Sequence, residues 1–162
     1  MPFRTHLLVV ANRTVGSPEL MTALEERAAQ SPVHVTLLAP VLWSEREDAC
    51  RRLEAAVDEL RERGIEAESV LGDGDPVVAV QEVWNPGRFD EVLVSTFATG
   101  VSRWMQIDLP HRIAKLTDCT VRHVVTHPPA APVPPAPMPA RRGLFESALG
   151  LLRTRTRDEA VS

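Results

Sequence analysis

The side chains best equipped for chemistry are gathered between Ser95 and Trp104, in the run STFATGVSRW. Ser95, Thr96, Thr99 and Ser102 offer hydroxyls, and Gly100 offers a backbone N–H that no side chain shields. Arg103 adds a cationic fork and Trp104 an aromatic face. These types in one short loop suit an anion such as phosphate, held by backbone donors and a guanidinium. A smaller group, Asn12-Arg13-Thr14, follows the first apolar run and could face the same anion. The sequence carries no nucleophile elbow, Walker loop, catalytic carboxylate pair or His-x-x-x-His ligand spacing. Binding without catalysis or metal is therefore the expectation. Asp73 and Asp75 invite an acid–base reading, but Asp75 directly precedes Pro76 and is first of all a helix N-cap. His111 and Arg112 fit a surface first turn, and Trp84 fits packing. Trp104, beside the loop, is the aromatic residue that could cover a ring.

Such a loop works only if a scaffold holds it, and the composition allows one. The 162 residues carry a formal charge of −4 and are 44% hydrophobic, which provides for one domain with a core plus an extension. Residues 1–126 hold 13 basic and 19 acidic side chains, which argues against a nucleic-acid surface. The remaining residues reverse the balance, with 5 arginines against 3 acids. Cys50 and Cys119 are too few and too separated for a metal site or a disulfide framework and are expected to be reduced. No signal-peptide pattern and no apolar run of about 20 residues is present, so a cytoplasmic location is expected.

Apolar runs alternate with helix-period segments, the pattern of a parallel sheet covered on both faces. Strands are expected at His6–Ala11, Val33–Ala39, Ile65–Leu71, Glu91–Ser95 and Thr120–Val125. Ser17-Pro18 and Asp75-Pro76 each supply a cap and a first-turn proline for a following helix. Arg46–Arg63 is the clearest helix, with Ala49, Leu53, Val57 and Leu60 on one stripe and Glu47–Arg51, Asp48–Arg52 and Glu59–Arg63 pairs outside. A further helix, capped near Asp108, carries Leu109, Ile113 and Leu116. Right-handed crossovers leave the order 3-2-1-4-5 as the simplest topology, with strand 1 beside strand 4. A ligand would then sit in the crevice beyond the carboxyl ends of those two strands, between Asn12-Arg13-Thr14 and Ser95 to Trp104.

Beyond residue 126 the composition changes. Half of the 14 prolines fall within residues 127–140, giving a stiff polyproline-like spacer. Residues 141–162 form a basic tail. Leu144, Phe145, Ala148, Leu149, Leu151 and Leu152 would share one face of a short amphipathic helix, flanked by Arg141, Arg142, Arg153 and Arg155. That helix could lie on an acidic membrane surface, dock in a groove of a protein partner or second subunit, or stay disordered without one.

The segment order, with LGDGDP at 71–76, FDEVLVS at 89–95 and TDCTVRHVV at 117–125, resembles the universal stress protein family over residues 5–125. That resemblance implies a Rossmann-like three-layer α/β sandwich, a homodimer formed through the last strand, and in some members bound ATP. The family's ATP binders carry Gly-x2-Gly-x9-Gly-Ser/Thr after strand 4. Starting that pattern at Gly100 puts Arg103 and Ile113-Ala114 at the later positions; starting at Ser95 puts Ala98 and Asp108-Leu109 there. The chain thus resembles a divergent member lacking the glycines that let backbone N–H groups approach a triphosphate. The resemblance implies a non-catalytic stress-response module for ATP, another nucleotide or a smaller anion. The alternative is a protein-interaction or membrane-adaptor module that has a vestigial pocket and acts through its tail.

Overall fold

A computed structural model describes residues 3–98 and 107–128, all within Met1–Pro128, the first of two units into which the chain divides. Five strands, β1 (Thr5–Val10), β2 (Val33–Pro40), β3 (Glu66–Gly72), β4 (Glu91–Phe97) and β5 (Val121–Thr126), form one sheet. Its order is β3-β2-β1-β4-β5 and every pairing is parallel, the arrangement expected from the sequence. Helices α1 (Pro18–Gln30), α2 (Arg46–Glu62), α3 (Pro76–Val83) and α4 (Leu109–Thr117) make the crossovers.

Period-two alternation divides the strand side chains between two cores. Leu7, Val9, Val35, Leu37 and Leu93 face Leu20, Met21 and Leu24 of α1 and Leu53, Val57 and Leu60 of α2. Leu8, Val10, Leu38, Val92 and Val94 face Ala79 and Val80 of α3 and Leu109 and Ile113 of α4. At the carboxyl end of β3, Gly72 lets α3 approach closely. A Cβ there would stand 2.6 Å from Ala79 Cβ and 2.9 Å from Leu38 Cδ1.

Capping follows the sequence at two helices. Ser17 Oγ accepts from Leu20 N (3.3 Å), and Asp75 Oδ1 accepts from Val77 N (2.8 Å) and Val78 N (3.2 Å). The expected cap of α4 differs: Asp108 stands in the left-handed region, φ 50°, and its side chain makes no capping bond. The outer face of α2 differs as well. Glu59–Arg63 forms (2.5 Å), but Asp48 takes Arg51, three residues on, in place of Arg52, which turns inward. Trp84 stacks on Phe89 (centroids 6.0 Å apart) against the α3 core, the packing role expected of it. Among the described residues no helix is long and apolar enough to cross a membrane, and no group of three or more His, Cys, Asp or Glu side chains could hold a metal ion.

Candidate functional site

The turn from β1 into α1 is short and internally bonded. Val15 N donates to Asn12 O (3.2 Å) and Ser17 N to Thr14 O (3.0 Å), while Gly16 supplies the left-handed step at φ 80°. Within this turn the three residues singled out after strand 1 take three different directions. Asn12 points toward β2, its Nδ2 donating to Pro40 O (2.9 Å) and its Oδ1 accepting from Arg52 Nη2 (3.1 Å). Arg13 is exposed and meets Glu45 Oε1 at 3.4 Å. Thr14 is buried, and its Oγ1 donates to Ser95 O across the β1–β4 boundary (3.1 Å). That last bond joins the two sides of the predicted crevice.

On the other side, β4 runs two residues further than the apolar run suggested, through Phe97. Thr96 is therefore a strand residue, and alternation sends Ser95 and Thr96 to opposite faces of the sheet. Ser95, fully buried, lies toward α1, with Oγ 3.5 Å from Thr126 Oγ1, which in turn is 3.0 Å from Ser17 Oγ. A hydroxyl has one proton and two lone pairs. Ser17 Oγ accepts from Leu20 N and still has a proton to share with Thr126, so the chain of hydroxyls is self-consistent. Thr96 lies toward the α4 layer, its Oγ1 2.7 Å from His123 Nε2. Burial pushes the His123 imidazole below its ordinary range and so favours the neutral ring.

His123 and Thr126 are the polar partners that sequence reasoning missed. The parallel register of β4 on β5 brings them there, over separations of 27 and 31 residues. Of the ten candidate residues, Asn12, Arg13, Thr14, Ser95 and Thr96 are described; Thr99, Gly100, Ser102, Arg103 and Trp104 lie outside the described residues. The structure brings Thr14 and Ser95 together, turns Asn12 toward α2, and sets Thr96 on the far face. Each of their side-chain polar groups named above has a protein partner. What Asn12, Thr14, Ser95 and Thr96 supply is a tied, neutral floor, and Arg52 reaches its edge through Asn12.

The Glu54 carboxylate beside Cys50 pushes that thiol up, and Cys119 Sγ lies 3.2 Å from Thr117 Oγ1. His111 and Arg112 are exposed on the first turn of α4. An open depression of about 400 Å³, lined by Phe3, Arg4, His6, Gly87, Arg88 and Asp90, lies at the opposite end of the sheet. Its charges are used internally: Arg4 pairs with Glu66, Arg88 with Glu68, and Asp90 accepts from His6 N (2.8 Å).

An all-parallel 3-2-1-4-5 sheet whose strand order reverses between β1 and β4 defines a doubly wound α/β domain with its crevice at the carboxyl ends. Among solved structures the chain is similar to a universal stress protein family protein from Arabidopsis thaliana with AMP bound (19% identity, 82% of this chain and 99% of that one, TM-score 0.53). It is also similar to a universal stress protein from Archaeoglobus fulgidus in complex with dAMP (15% identity, 76% and 99%, TM-score 0.53). A third, a universal stress protein in complex with cAMP, shares 20% identity over 78% and 99% of the two chains, at TM-score 0.53. No family model matches the sequence, and no curated protein matches it. The domain has the universal-stress-protein fold.

Proposed function

We propose that this chain is a universal-stress-protein-like regulatory module, non-catalytic, which binds a nucleotide or another small anion in the crevice between β1 and β4. The observation that carries the reading is the Thr14–Ser95 bond at that crevice, in a fold whose solved relatives hold AMP, dAMP and cAMP. The loop from Ser95 to Trp104 would supply the anion contacts, with Arg103 the principal charge. The missing glycines favour a monophosphate or cyclic phosphate over a triphosphate. Calorimetric titration of the full chain with ATP, AMP and cAMP tests this. Heat from at least one of them, lost in Arg103→Ala, is the expected result; no heat with any ligand at millimolar concentration removes the reading.

The same proposal includes a homodimer through β5, supported by its position as an edge strand with Val125 39% exposed. Sedimentation should then give twice the chain mass. A second reading, an adaptor acting through residues 141–162 toward a protein or a membrane, is favoured by the internal use of the described polar groups at the crevice. Deleting residues 127–162 separates the two, because only the adaptor loses its partners.

A further inference from the structure

The turn between β2 and α2 carries two large apolar side chains outward. Trp43 is 85% exposed and Leu42 62%. Leu42 lies over Gly74 in the loop after β3, where an added Cβ would stand 2.8 Å from Leu42 Cδ2. The patch thus spans the loops after two neighbouring strands. Val78, on the first turn of α3 beyond that loop, is 39% exposed. Trp43 is fixed from one side by Arg46, whose guanidinium carbon lies 5.3 Å from the ring centroid.

Arg46 apart, the charged residues flanking these apolar groups are acidic: Glu45, Glu47 and Asp48 around the start of α2, Asp73 and Asp75 after β3. Glu45 meets Arg13 and Asp48 meets Arg51. Asp73 and Asp75 accept backbone N–H groups, and among the described residues neither they nor Glu47 form an ion pair.

We propose that Leu42 and Trp43 form a docking surface for a basic, apolar peptide segment of a partner protein. A large exposed aromatic next to a leucine is the composition of an interface anchor, and monomer surfaces seldom leave such groups uncovered without use. The charge decides the occupant. Glu47, Asp73 and Asp75 outnumber Arg46, so on balance a nucleotide would bring its phosphates against acid, and a second copy meeting the same patch would set acid against acid. Lysine or arginine beside leucine complements both parts of the surface.

The test is fluorescence anisotropy of the full chain with a labelled amphipathic helical peptide of leucine and lysine, and with its leucine–glutamate counterpart. The lysine peptide should bind and the glutamate peptide should not. Trp43→Ala and Glu47→Lys should each weaken binding about tenfold or more, while Asp58→Lys, an exposed charge reversal in the last third of α2, should leave it unchanged. Binding insensitive to Trp43→Ala overturns the proposal, as does an equal loss in Asp58→Lys, which would mean unspecific attraction to an acidic protein. Displacement of the peptide by AMP would also overturn it, assigning the ring to the ligand crevice.

Discussion

Where β4 and β5 end beside the turn after β1, the polar side chains that meet are neutral and mostly buried, whereas at the amino ends of the strands they are charged and mostly wet. Thr14, Ser95, Thr96 and Thr126 are each less than 4% exposed and are joined to one another or to Ser17 and His123. Across the sheet, Arg4–Glu66, Arg88–Glu68 and the His34 contacts to both glutamates line the surface. One pair there is withdrawn from water: Arg27, 9% exposed, reaches Glu91 (2.7 Å), Thr5 Oγ1 (3.1 Å) and Ser31 Oγ (2.8 Å). Neutral hydroxyls can be buried at modest cost once each has a partner, but a buried charge needs a counter-charge. The floor of the candidate site, from Thr14 to Ser95, is therefore sealed by neutral groups, which leaves any ligand's charge to be met by the loops.

Breaking the one withdrawn ion pair should have the largest effect. Arg27→Met leaves Glu91 without its main partner and should cost about 3 kcal/mol in urea unfolding, with Arg27→Met/Glu91→Leu recovering much of it. Gly72→Ala comes next. Its methyl must displace α3 or Leu38, and about 2 kcal/mol is expected as a lower urea midpoint at unchanged slope. At the carboxyl ends, Thr126→Val keeps the shape but strips Ser17 and Ser95 of a shared hydroxyl, for about 1 kcal/mol. Arg4→Ala, on an exposed pair, should move stability by about 0.5 kcal/mol or less.

Acid titration sharpens the same contrast. The Arg27 hydrogen bond holds Glu91 below its ordinary 4.5. Glu68, raised by burial, is brought lower on balance by Thr36, Arg88 and His34. Both contribute stability that is complete above the unfolded value and is lost as pH falls below it. His123 is lowered by burial from 6.5, so the unfolded chain takes its proton first and stability begins to fall on the acid side of 6.5. Unfolding followed from pH 8 to 3 should show a first decline absent in His123→Gln and a later one reduced in Glu91→Gln.

The parts legible in the sequence were those encoded locally. Ser17-Pro18 and Asp75-Pro76 marked helix starts because proline at the first turn and a carboxylate or hydroxyl before it act within four residues. The strand order is the commonest of the few arrangements that right-handed crossovers allow for five short parallel strands. What escaped was long-range. Asn12 commits its amide to Pro40 and Arg52, 28 and 40 residues away, and no local pattern distinguishes that from a free ligand. Thr96 was read as loop because polar residues end an apolar run, yet its backbone pairs with β5 and its hydroxyl finds His123. Asp108 had the residue type of a cap but a left-handed backbone that turns its side chain away from that task.

The sheet has two unlike open margins, β3 and β5. Among the described residues the β3 margin carries the acids Glu66 and Glu68, whereas β5 presents Val121 and Val125 beside a single exposed charge, Arg122. Charges beside an open strand discourage backbone pairing by a newcomer. If copies join through β5, a two-fold contact of that kind consumes both β5 margins at once. Growth would then end at a pair, bordered on either side by the acidic margin of β3.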